Sequence, residues 1–223
     1  MAKTKSVYFC NNCGAESPKW IGRCPVCGEW NTYVEEVVST KSVAGGRDEF
    51  GTMEQSKVRP QRIDDIQITE ESRIDLGNGE LNRVLGGGLV RGSLVLIGGE
   101  PGIGKSTLIL QTVLALKGQK VLYVSGEESA RQLKLRAERI GGNAPDCYIV
   151  CETSLEDIFV HIRNVAPDIV VIDSIQTIAT SAMESSPGSV GQVRECAASL
   201  LKFAKQSNTP VLLVGHINKE GSI

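Results

Sequence analysis

The sequence lacks a strong charge of one sign, a long apolar run and an internal repeat. Its 223 residues contain 24 Lys and Arg against 26 Asp and Glu, which gives a net charge of −2. Because this balance does not by itself indicate a nucleic-acid partner, any contact with DNA must come from local basic residues. No apolar stretch approaches the ~20 residues that a membrane-spanning helix needs. We therefore expect no membrane partner.

The N-terminal segment MAKTKSVYFC also lacks the apolar core of a secretory signal. We therefore expect a cytoplasmic protein whose seven cysteines are reduced. Four of these cysteines are grouped near the N-terminus, and three are scattered. We interpret the scattered ones as small core residues, because free cysteine is often buried; they are Cys147, Cys151 and Cys196.

Composition divides the chain into three segments. Residues 7–34 are dense in Cys, Gly and Trp, and residues 35–72 are polar without sustained periodicity. The polar composition suits a linker better than a core. Residues 73–223 have the patterning of a folded domain, which predicts a small N-terminal module, a linker and a larger domain.

From residue 73 onward, short apolar runs alternate with amphipathic stretches of helical length. The apolar runs are LVLIG, KVLYVS, CYIVC, DIVVID and PVLLVGH. Strands that are apolar on both faces and alternate with helices predict an α/β fold, in which helices cover both faces of a parallel sheet. Ligands of such a sheet bind beyond the carboxyl ends of its strands.

The stretch GGEPGIGKST, residues 98–107, follows the first apolar run and fits the P-loop pattern. Its glycines let backbone N–H groups turn inward, and the next helix adds the positive end of its dipole. We expect Lys105 to reach the β- and γ-phosphates of ATP, Ser106 to ligate Mg²⁺ and Thr107 to contact the α-phosphate. The predicted nucleotide-binding residues are Gly99, Glu100, Pro101, Gly102, Ile103, Gly104, Lys105, Ser106 and Thr107. The alternative, a glycine-rich turn without function, is disfavoured because motif and context agree.

A P-loop also needs a second magnesium partner and a residue that orients water. Asp173 ends the run DIVVID and can hold Mg²⁺ directly or through water; its alternative role is to cap the next segment. VLYVSGEES offers Glu127 and Glu128 beside the phosphate site. We interpret Glu127 as the water-orienting base because it leaves the strand first, and Glu128 as a first-turn acid of the next helix.

The N-terminal segment contains the pattern Cys10-x2-Cys13-x10-Cys24-x2-Cys27. Two C-x-x-C knuckles at this spacing predict a tetrahedral Zn²⁺ site. All four positions are used, which indicates a structural and not a catalytic metal. A redox pair and an iron–sulfur centre are the alternatives. Because so short a segment cannot bury enough core to fold unaided, zinc should supply the folding energy.

Glycine and tryptophan residues surround the two knuckles. Gly14 and Gly28 each follow a knuckle and allow the tight turns that aim N–H groups at the sulfurs. We expect Trp20 and Trp30 to pack over the metal site.

A Cys₄ ribbon, a linker and a P-loop domain together resemble the RadA (Sms) family of bacterial DNA-repair proteins. The matching text is both C-x-x-C pairs, RIDLGNGELNRVLGGGLVRGSLVLIGGEPGIGKSTLILQ, VLYVSGEES, VVIDSIQT and VGHINKEG. The resemblance implies a RecA-like core and a DNA-dependent ATPase that branch-migrates recombination intermediates in recombinational repair. It also implies a hexameric ring on single-stranded DNA, with ATP between neighbouring subunits, and a RecA-type recombinase filament as partner.

The resemblance also assigns roles to individual residues. It makes Asp173 the Walker B acid, Glu127 the catalytic carboxylate and His216 a polar sensor of the γ-phosphate. RecA-like proteins contact DNA through a loop that corresponds to residues 180–195, in which Arg194 is the only basic residue. That segment is either a DNA contact or a plain surface loop.

RadA-like chains continue with further strands, a Lys-Asn-Arg-Phe-Gly motif and a domain similar to that of Lon protease. No KNRFG string occurs in the 223 residues, so we expect the chain to stop inside its ATPase domain. Lys219 would then lie in the loop after the last strand, and an apolar sheet edge would be exposed. ATP binding is expected, whereas DNA-coupled turnover would lack the parts that bridge subunits.

Two other functions are compatible with parts of the sequence. A nucleotide-dependent regulator of the RecA-like circadian-clock type, which binds proteins and not DNA, shares the glycine-rich text, although the zinc ribbon argues against it. A structural zinc-ribbon adaptor with a vestigial ATPase is the third hypothesis.

Overall fold

The computed structural model describes residues 4–10, 12–39, 62–65, 73–141 and 146–216. The N-terminal part is an antiparallel sheet in the order β2-β1-β3. Its strands are β1 (Thr4–Cys10), β2 (Glu16–Ser17) and β3 (Tyr33–Ser39). Most of the expected linker and the loop that contains Lys219 lie outside the described residues.

A second, two-stranded antiparallel unit precedes the main sheet. It consists of β4 (Arg73–Ile74) and β5 (Leu89–Val90), with helix α1 (Gly79–Val84) between them. Asn78 caps α1 by accepting hydrogen bonds from the backbone N–H groups of the second and third helical residues.

The main sheet has five parallel strands in the order β6-β10-β9-β7-β8. Its strands are β6 (Leu94–Gly99), β7 (Val121–Ser125), β8 (Cys147–Cys151), β9 (Ile169–Asp173) and β10 (Val211–His216). Each strand coincides with one of the five apolar runs of the sequence. The predicted parallel sheet is therefore present.

Four helices cover the two faces of this sheet, as the alternating pattern predicts. They are α2 (Lys105–Ala115), α3 (Ala130–Ile140), α4 (Leu155–Val165) and α5 (Val190–Ser207), with 3₁₀ turns at Ile63–Asp65 and Ile175–Thr177. On one face, Leu110 of α2 packs in a cluster with Val171 of β9. On the other face, Ile158 of α4 and Leu200 of α5 pack in a cluster with Val170 of β9.

Serine caps fix where three of these helices begin. The side chains of Ser129, Ser154 and Ser189 each accept a hydrogen bond from a backbone N–H in the first turn of α3, α4 and α5. Such a cap stabilises a helix start by about 0.5–2 kcal/mol relative to alanine. Helix α2 begins without one, because the residue before it is Gly104.

The edge strands are less buried than the inner strands. Leu96 of β6 is 41% exposed and Tyr148 of β8 is 46% exposed, whereas every residue of β7 and β9 is buried. Burial on both faces therefore holds for the inner strands only. The prediction of three buried cysteines is wrong for Cys151, which is exposed at the end of β8, and Cys147 is only half-buried, because β8 lies at the sheet edge. Cys196 is fully buried.

Within the ranges that the structure covers, no helix is long and apolar enough to cross a membrane.

Candidate nucleotide site and zinc site

The turn between β6 and α2 has the backbone of a phosphate-binding loop. Gly102 and Gly104 have φ values of 81° and 97°, a region that favours glycine. A Cβ on Gly99 would lie 2.5 Å from Cδ1 of Ile103, so the exposed Ile103 side chain would have to move for any larger residue at this position. Gly104 precedes α2 and supplies no side-chain cap, which leaves the first N–H groups of the helix available to an anion.

Lys105 lies inside this turn and is buried. Its Nζ donates to the carbonyl oxygens of Gly99 and Glu100, both at 2.8 Å, and lies 3.4 Å from Nδ1 of His216. The ammonium group is therefore held between the loop and the end of β10. The other predicted nucleotide contacts that line the exposed rim are Glu100, Pro101, Gly102, Ile103, Gly104 and Thr107.

The two predicted magnesium ligands are in contact. Oγ of Ser106 donates to Oδ1 of Asp173 at 2.9 Å, and the second carboxylate oxygen, Oδ2, accepts from the hydroxyl of Tyr123 at 2.5 Å. Asp173 is 6% exposed. A hydroxyl and a carboxylate are oxygen ligands of the kind that Mg²⁺ prefers, so the donor set fits this ion.

Glu127 extends from the end of β7 into the same site. Its Oε1 accepts from Oγ of Ser174 at 2.5 Å and lies 3.2 Å from Nε2 of His216. The Ser174 hydrogen bond, with further contributions from His216 and from the charge of Lys105, holds the pKa of Glu127 below its ordinary value. The carboxylate is therefore ionised near neutral pH and could accept a proton or a hydrogen bond from water.

Glu128 is engaged elsewhere. It pairs with Arg136 of α3, and its backbone N–H donates to Oγ of Ser125 at 3.0 Å. The expectation that Glu128 is a first-turn acid of the next helix is wrong, because Ser129 takes the cap position and α3 begins at Ala130. Of the two adjacent acids, Glu127 is the one in the nucleotide site. It contacts His216, which in turn lies beside Lys105 of the P-loop.

The four grouped cysteines also come together. Their sulfur atoms all lie within 4.8 Å of one another. The Sγ atoms of Cys10 and Cys27 are 3.6 Å apart, and those of Cys13 and Cys24 are 3.5 Å apart. Tetrahedral zinc with Zn–S bonds of about 2.3 Å separates its sulfurs by about 3.8 Å. The cluster therefore fits Zn²⁺.

The knuckle glycines have the predicted conformation. Gly14 and Gly28 have φ values of 72° and 78° and close the turns by donating to the carbonyl of the first cysteine in each knuckle. Burial raises the pKa of Cys24, but hydrogen bonds from the backbone N–H groups of Cys27 and Val26, together with those from the side chains of Tyr33 and Cys13, lower the value to about 6. These N–H groups stabilise the thiolate form that zinc binds.

The prediction that the tryptophans pack over the metal site is wrong. Trp20 is 53% exposed and Trp30 is 67% exposed. The buried side chain beside the cysteines is Tyr33, whose hydroxyl lies 3.7 Å from the sulfur of Cys24, because β3 directs it inward. Trp20 donates from its indole N–H to the carbonyl of Tyr33, and Arg23 stacks over Trp30 at 5.7 Å.

The predicted DNA-contacting segment, residues 180–195, divides into a loop and a helix. Ser189 caps α5, so Arg194 belongs to the helix and not to the loop. Its guanidinium donates to the carbonyl of Gly14 at 3.4 Å. The single basic residue of this segment therefore contacts the zinc ribbon.

The loop itself is held by Gln192, which the sequence analysis did not single out. The side-chain amide of Gln192 donates to the carbonyls of Thr180, Met183 and Ser185 at 3.0–3.2 Å and accepts from the backbone N–H of Thr180 at 2.9 Å. Glu156 of α4 accepts three further hydrogen bonds from Thr180 and Ser181. The loop therefore has a defined shape.

Two further residues that sequence reasoning missed lie in the nucleotide site. Ser174 directly follows Asp173 and holds Glu127, and Tyr123 holds Asp173. The sequence signal that could have indicated a role for Tyr123 is its phenol, which stands among aliphatic residues in the run VLYVS.

Family models match both the P-loop domain and the cysteine-rich segment. The family model of the AAA domain matches residues 57–222. The chain belongs to the AAA-domain family. A second model, of the rubredoxin metal-binding domain, matches residues 8–35, which contain the four clustered cysteines. The expected cofactors of these two parts, ATP with Mg²⁺ and Zn²⁺, are thereby supported by both matches and by the cysteine cluster.

The resemblance to the RadA family is confirmed by curated relatives. The chain is 54% identical to DNA repair protein RadA of Bacillus subtilis, 50% to that of Listeria monocytogenes and 48% to that of Pseudomonas aeruginosa. Each alignment covers 100% of this chain but only 48–49% of the relative. The chain therefore spans about half the length of these proteins.

Solved structures confirm the expected RecA-like fold. A KaiC-like protein of Pyrococcus horikoshii superposes with a TM-score of 0.57 at 22% identity, covering 68% of this chain and 74% of its own. At this identity the likeness concerns the fold alone.

Proposed function

We propose that this chain is the N-terminal part of a DNA-dependent ATPase of recombinational repair, which branch-migrates recombination intermediates on single-stranded DNA. One observation carries the proposal: four side chains that follow the carboxyl ends of neighbouring strands form one hydrogen-bonded site. They are Lys105 after β6, Glu127 after β7, Asp173 at the end of β9 and His216 at the end of β10. The RadA relatives, which are DNA repair proteins, support the repair context.

The proposal divides the chain into a structural zinc ribbon at residues 7–34, a linker at 35–72 and a RecA-like ATPase domain at 73–223. The boundary at residue 34 needs correction, because β3 continues the ribbon sheet to Ser39. In this division the metal of the ribbon has no open ligand position, because all four cysteines converge on it. ATP turnover is then the task of the larger domain alone.

Each residue of the site has a role in this reaction. The Lys105 ammonium would neutralise β- and γ-phosphate charge, and Ser106 with Asp173 would hold Mg²⁺, which would offset the negative charge of the phosphates. Glu127 would orient the attacking water and take its proton. His216 lies between the Lys105 ammonium and the Glu127 carboxylate, where it would respond to a γ-phosphate.

The proposed partners are single-stranded DNA, recombination intermediates and a RecA-type recombinase filament, with a homo-hexamer as the assembly and the cytoplasm as the location. Residues 180–189 would contribute the DNA-contacting loop, with Arg194 beside it. The ordered hydrogen bonds that Gln192 makes to this loop support a surface of fixed shape.

The decisive experiment is ATP hydrolysis, with and without single-stranded DNA, by the zinc-loaded longer protein of which the proposal makes this chain the N-terminal part. Lys105→Ala tests the P-loop, and Lys117→Ala, an exposed lysine beyond the far end of α2, is the matched control. The proposal predicts turnover that DNA raises, that Lys105→Ala abolishes and that Lys117→Ala leaves unchanged. Turnover indifferent to DNA would contradict the DNA dependence and favour the regulatory, protein-binding alternative.

A further inference from the structure

The carboxylate of Asp173 is held at both of its oxygens. One oxygen, Oδ1, accepts from Ser106 at 2.9 Å, and the other, Oδ2, accepts from the hydroxyl of Tyr123 at 2.5 Å. The proposed function gives Ser106 and Asp173 to the metal and leaves Tyr123 without a role. We propose that Tyr123 is a positioning residue of the magnesium site, which fixes the Asp173 carboxylate so that Oδ1 faces Ser106 and the P-loop. This inference rests on the proposed function, because it requires Asp173 to hold Mg²⁺.

Strand register brings the two side chains to the same face of the sheet. Tyr123 of β7 pairs with Val171 of β9, two residues before Asp173. Because alternate residues of a strand face the same side, Tyr123, Val171 and Asp173 all point towards the helix that follows the P-loop. The phenol therefore approaches Asp173 from the neighbouring strand and binds the carboxylate oxygen that Ser106 does not contact.

Packing fixes the Tyr123 ring. Its exposed fraction is 0%, and it belongs to the cluster formed with Ile109 and Val113 of α2 and with Val171. A close-packed interior leaves an aromatic ring little freedom to turn. The hydroxyl group thus has one defined position, and that position determines where Oδ2 of Asp173 lies.

A protonated phenol suits this task. A tyrosine hydroxyl, with an ordinary pKa of about 10, is protonated near neutral pH and can donate to Oδ2 of Asp173. A buried carboxylate oxygen without a donor would lose a charge-assisted hydrogen bond. Groups that orient a metal ligand in this way commonly change metal affinity by about 10–100-fold when they are removed.

The test is a Mg²⁺ titration of fluorescent ATP-analogue binding, measured for the full chain. Tyr123→Phe removes one oxygen atom, and Tyr148→Phe makes the same change at a tyrosine of β8 that is 46% exposed. We expect Tyr123→Phe to raise the half-saturating Mg²⁺ concentration by about tenfold or more, while nucleotide affinity in chelator stays unchanged. Tyr148→Phe should change neither quantity.

Asp173→Asn provides a second readout. If Tyr123 acts through Asp173, adding Tyr123→Phe to Asp173→Asn should shift the Mg²⁺ dependence no further, because the two changes remove the same interaction. An additional shift of the same size in that background would overturn the proposal.

Three other outcomes would also overturn it. The first is a Tyr123→Phe chain with an unchanged Mg²⁺ dependence. The second is an equal loss of nucleotide affinity with and without Mg²⁺, and the third is a Tyr123→Phe chain that circular dichroism shows to be unfolded. The last two results would mean that the hydroxyl is required by the core and not by the metal site. Failure of the proposed function would show in the unmodified chain, which would then bind no nucleotide or bind it without any dependence on Mg²⁺. That result is distinguishable from a failure of the Tyr123 proposal, which concerns the variant alone.

Discussion

The zinc ribbon and the P-loop domain are stabilised by opposite means. Among the described residues of the ribbon, the buried apolar cluster contains only Cys10, Cys24 and Tyr33. The P-loop domain has two extended clusters, one on each face of its sheet. The comparison indicates that the ribbon depends on its metal for a fold, whereas the nucleotide site rests on a sheet that needs none.

The two parts touch at one well-defined place. A Cβ on Gly14 would lie 2.9 Å from Cγ1 of Val190, and Arg194 donates to the Gly14 carbonyl. The first knuckle therefore packs on the start of α5, directly after the proposed DNA-contacting loop. A change in the ribbon could reach the loop through this contact, but the core of the sheet lies elsewhere.

Removal of zinc should have the largest effect and should be confined to the ribbon. Structural zinc contributes about 10–16 kcal/mol in zinc-finger peptides. A strong chelator, or Cys13→Ala, should therefore abolish amide-exchange protection in β1 and β3 while β7 and β9 stay protected. Hydrogen exchange with mass spectrometry measures both regions in one sample.

The exposed Cys151 of β8 supplies the matched control. Cys151→Ala should retain zinc and ribbon protection. Persistent protection of β1 and β3 in the metal-free chain would contradict the view that the metal supplies the ribbon's stability.

Glu127→Gln should separate the chemistry from both folds. Loss of a general base commonly costs about 10²–10⁴-fold in rate, so ATP turnover should fall by that factor while zinc content and nucleotide affinity remain. Glu138→Gln, at an exposed acid of α3 that pairs with Lys134, is the control. Steady-state hydrolysis with equilibrium nucleotide binding checks the prediction, and turnover close to that of the unmodified chain would refute the base assignment.

A cavity in the sheet's core should leave the ribbon unchanged. Leu200 of α5 is fully buried, and its neighbour Leu201 is 38% exposed. Leu200→Ala should lower the free energy of unfolding by about 2–5 kcal/mol, whereas Leu201→Ala should cost much less. Urea unfolding followed by circular dichroism measures the loss of unfolding free energy. Zinc release at the same urea concentration in both variants would show that the ribbon does not share this core.

The smallest effect concerns the proposed DNA-contacting loop, residues 180–189. Gln192→Glu keeps the acceptor for the Thr180 N–H but removes the amide donors to three loop carbonyls. We expect a loss of about 1–3 kcal/mol and faster amide exchange in residues 180–185. Gln132→Glu is the control, because only the side-chain oxygen of Gln132 is used as an acceptor from Ser129. Equal behaviour of the two variants would mean that Gln192 does not hold the loop.

Much of the fold could be predicted because its signals are local. The P-loop and the two cysteine knuckles each occupy a few consecutive residues, and the five apolar runs coincide with the five strands of the main sheet. Asp173 could be predicted too, since it ends such a run. These features need no knowledge of which strands are neighbours.

What could not be predicted depends on strand order and register. The Tyr123–Asp173 contact joins residues of two strands that a helix, another strand and a second helix separate in sequence. The exposure of Cys151 follows from the position of β8 at the sheet edge. Tyr33, and not a tryptophan, lies beside the cysteines because β3 pairs with β1. Composition alone contains no information about these pairings.

The central claim is that the turn around Lys105 binds the phosphates of ATP. Calorimetric titration with ATP and Mg²⁺ tests it most directly, on the unmodified chain, on Lys105→Ala and on the control Lys117→Ala. We predict saturable binding to the unmodified chain and to Lys117→Ala, and none to Lys105→Ala. Binding of equal affinity to Lys105→Ala, with all three chains folded, would contradict the assignment of this site.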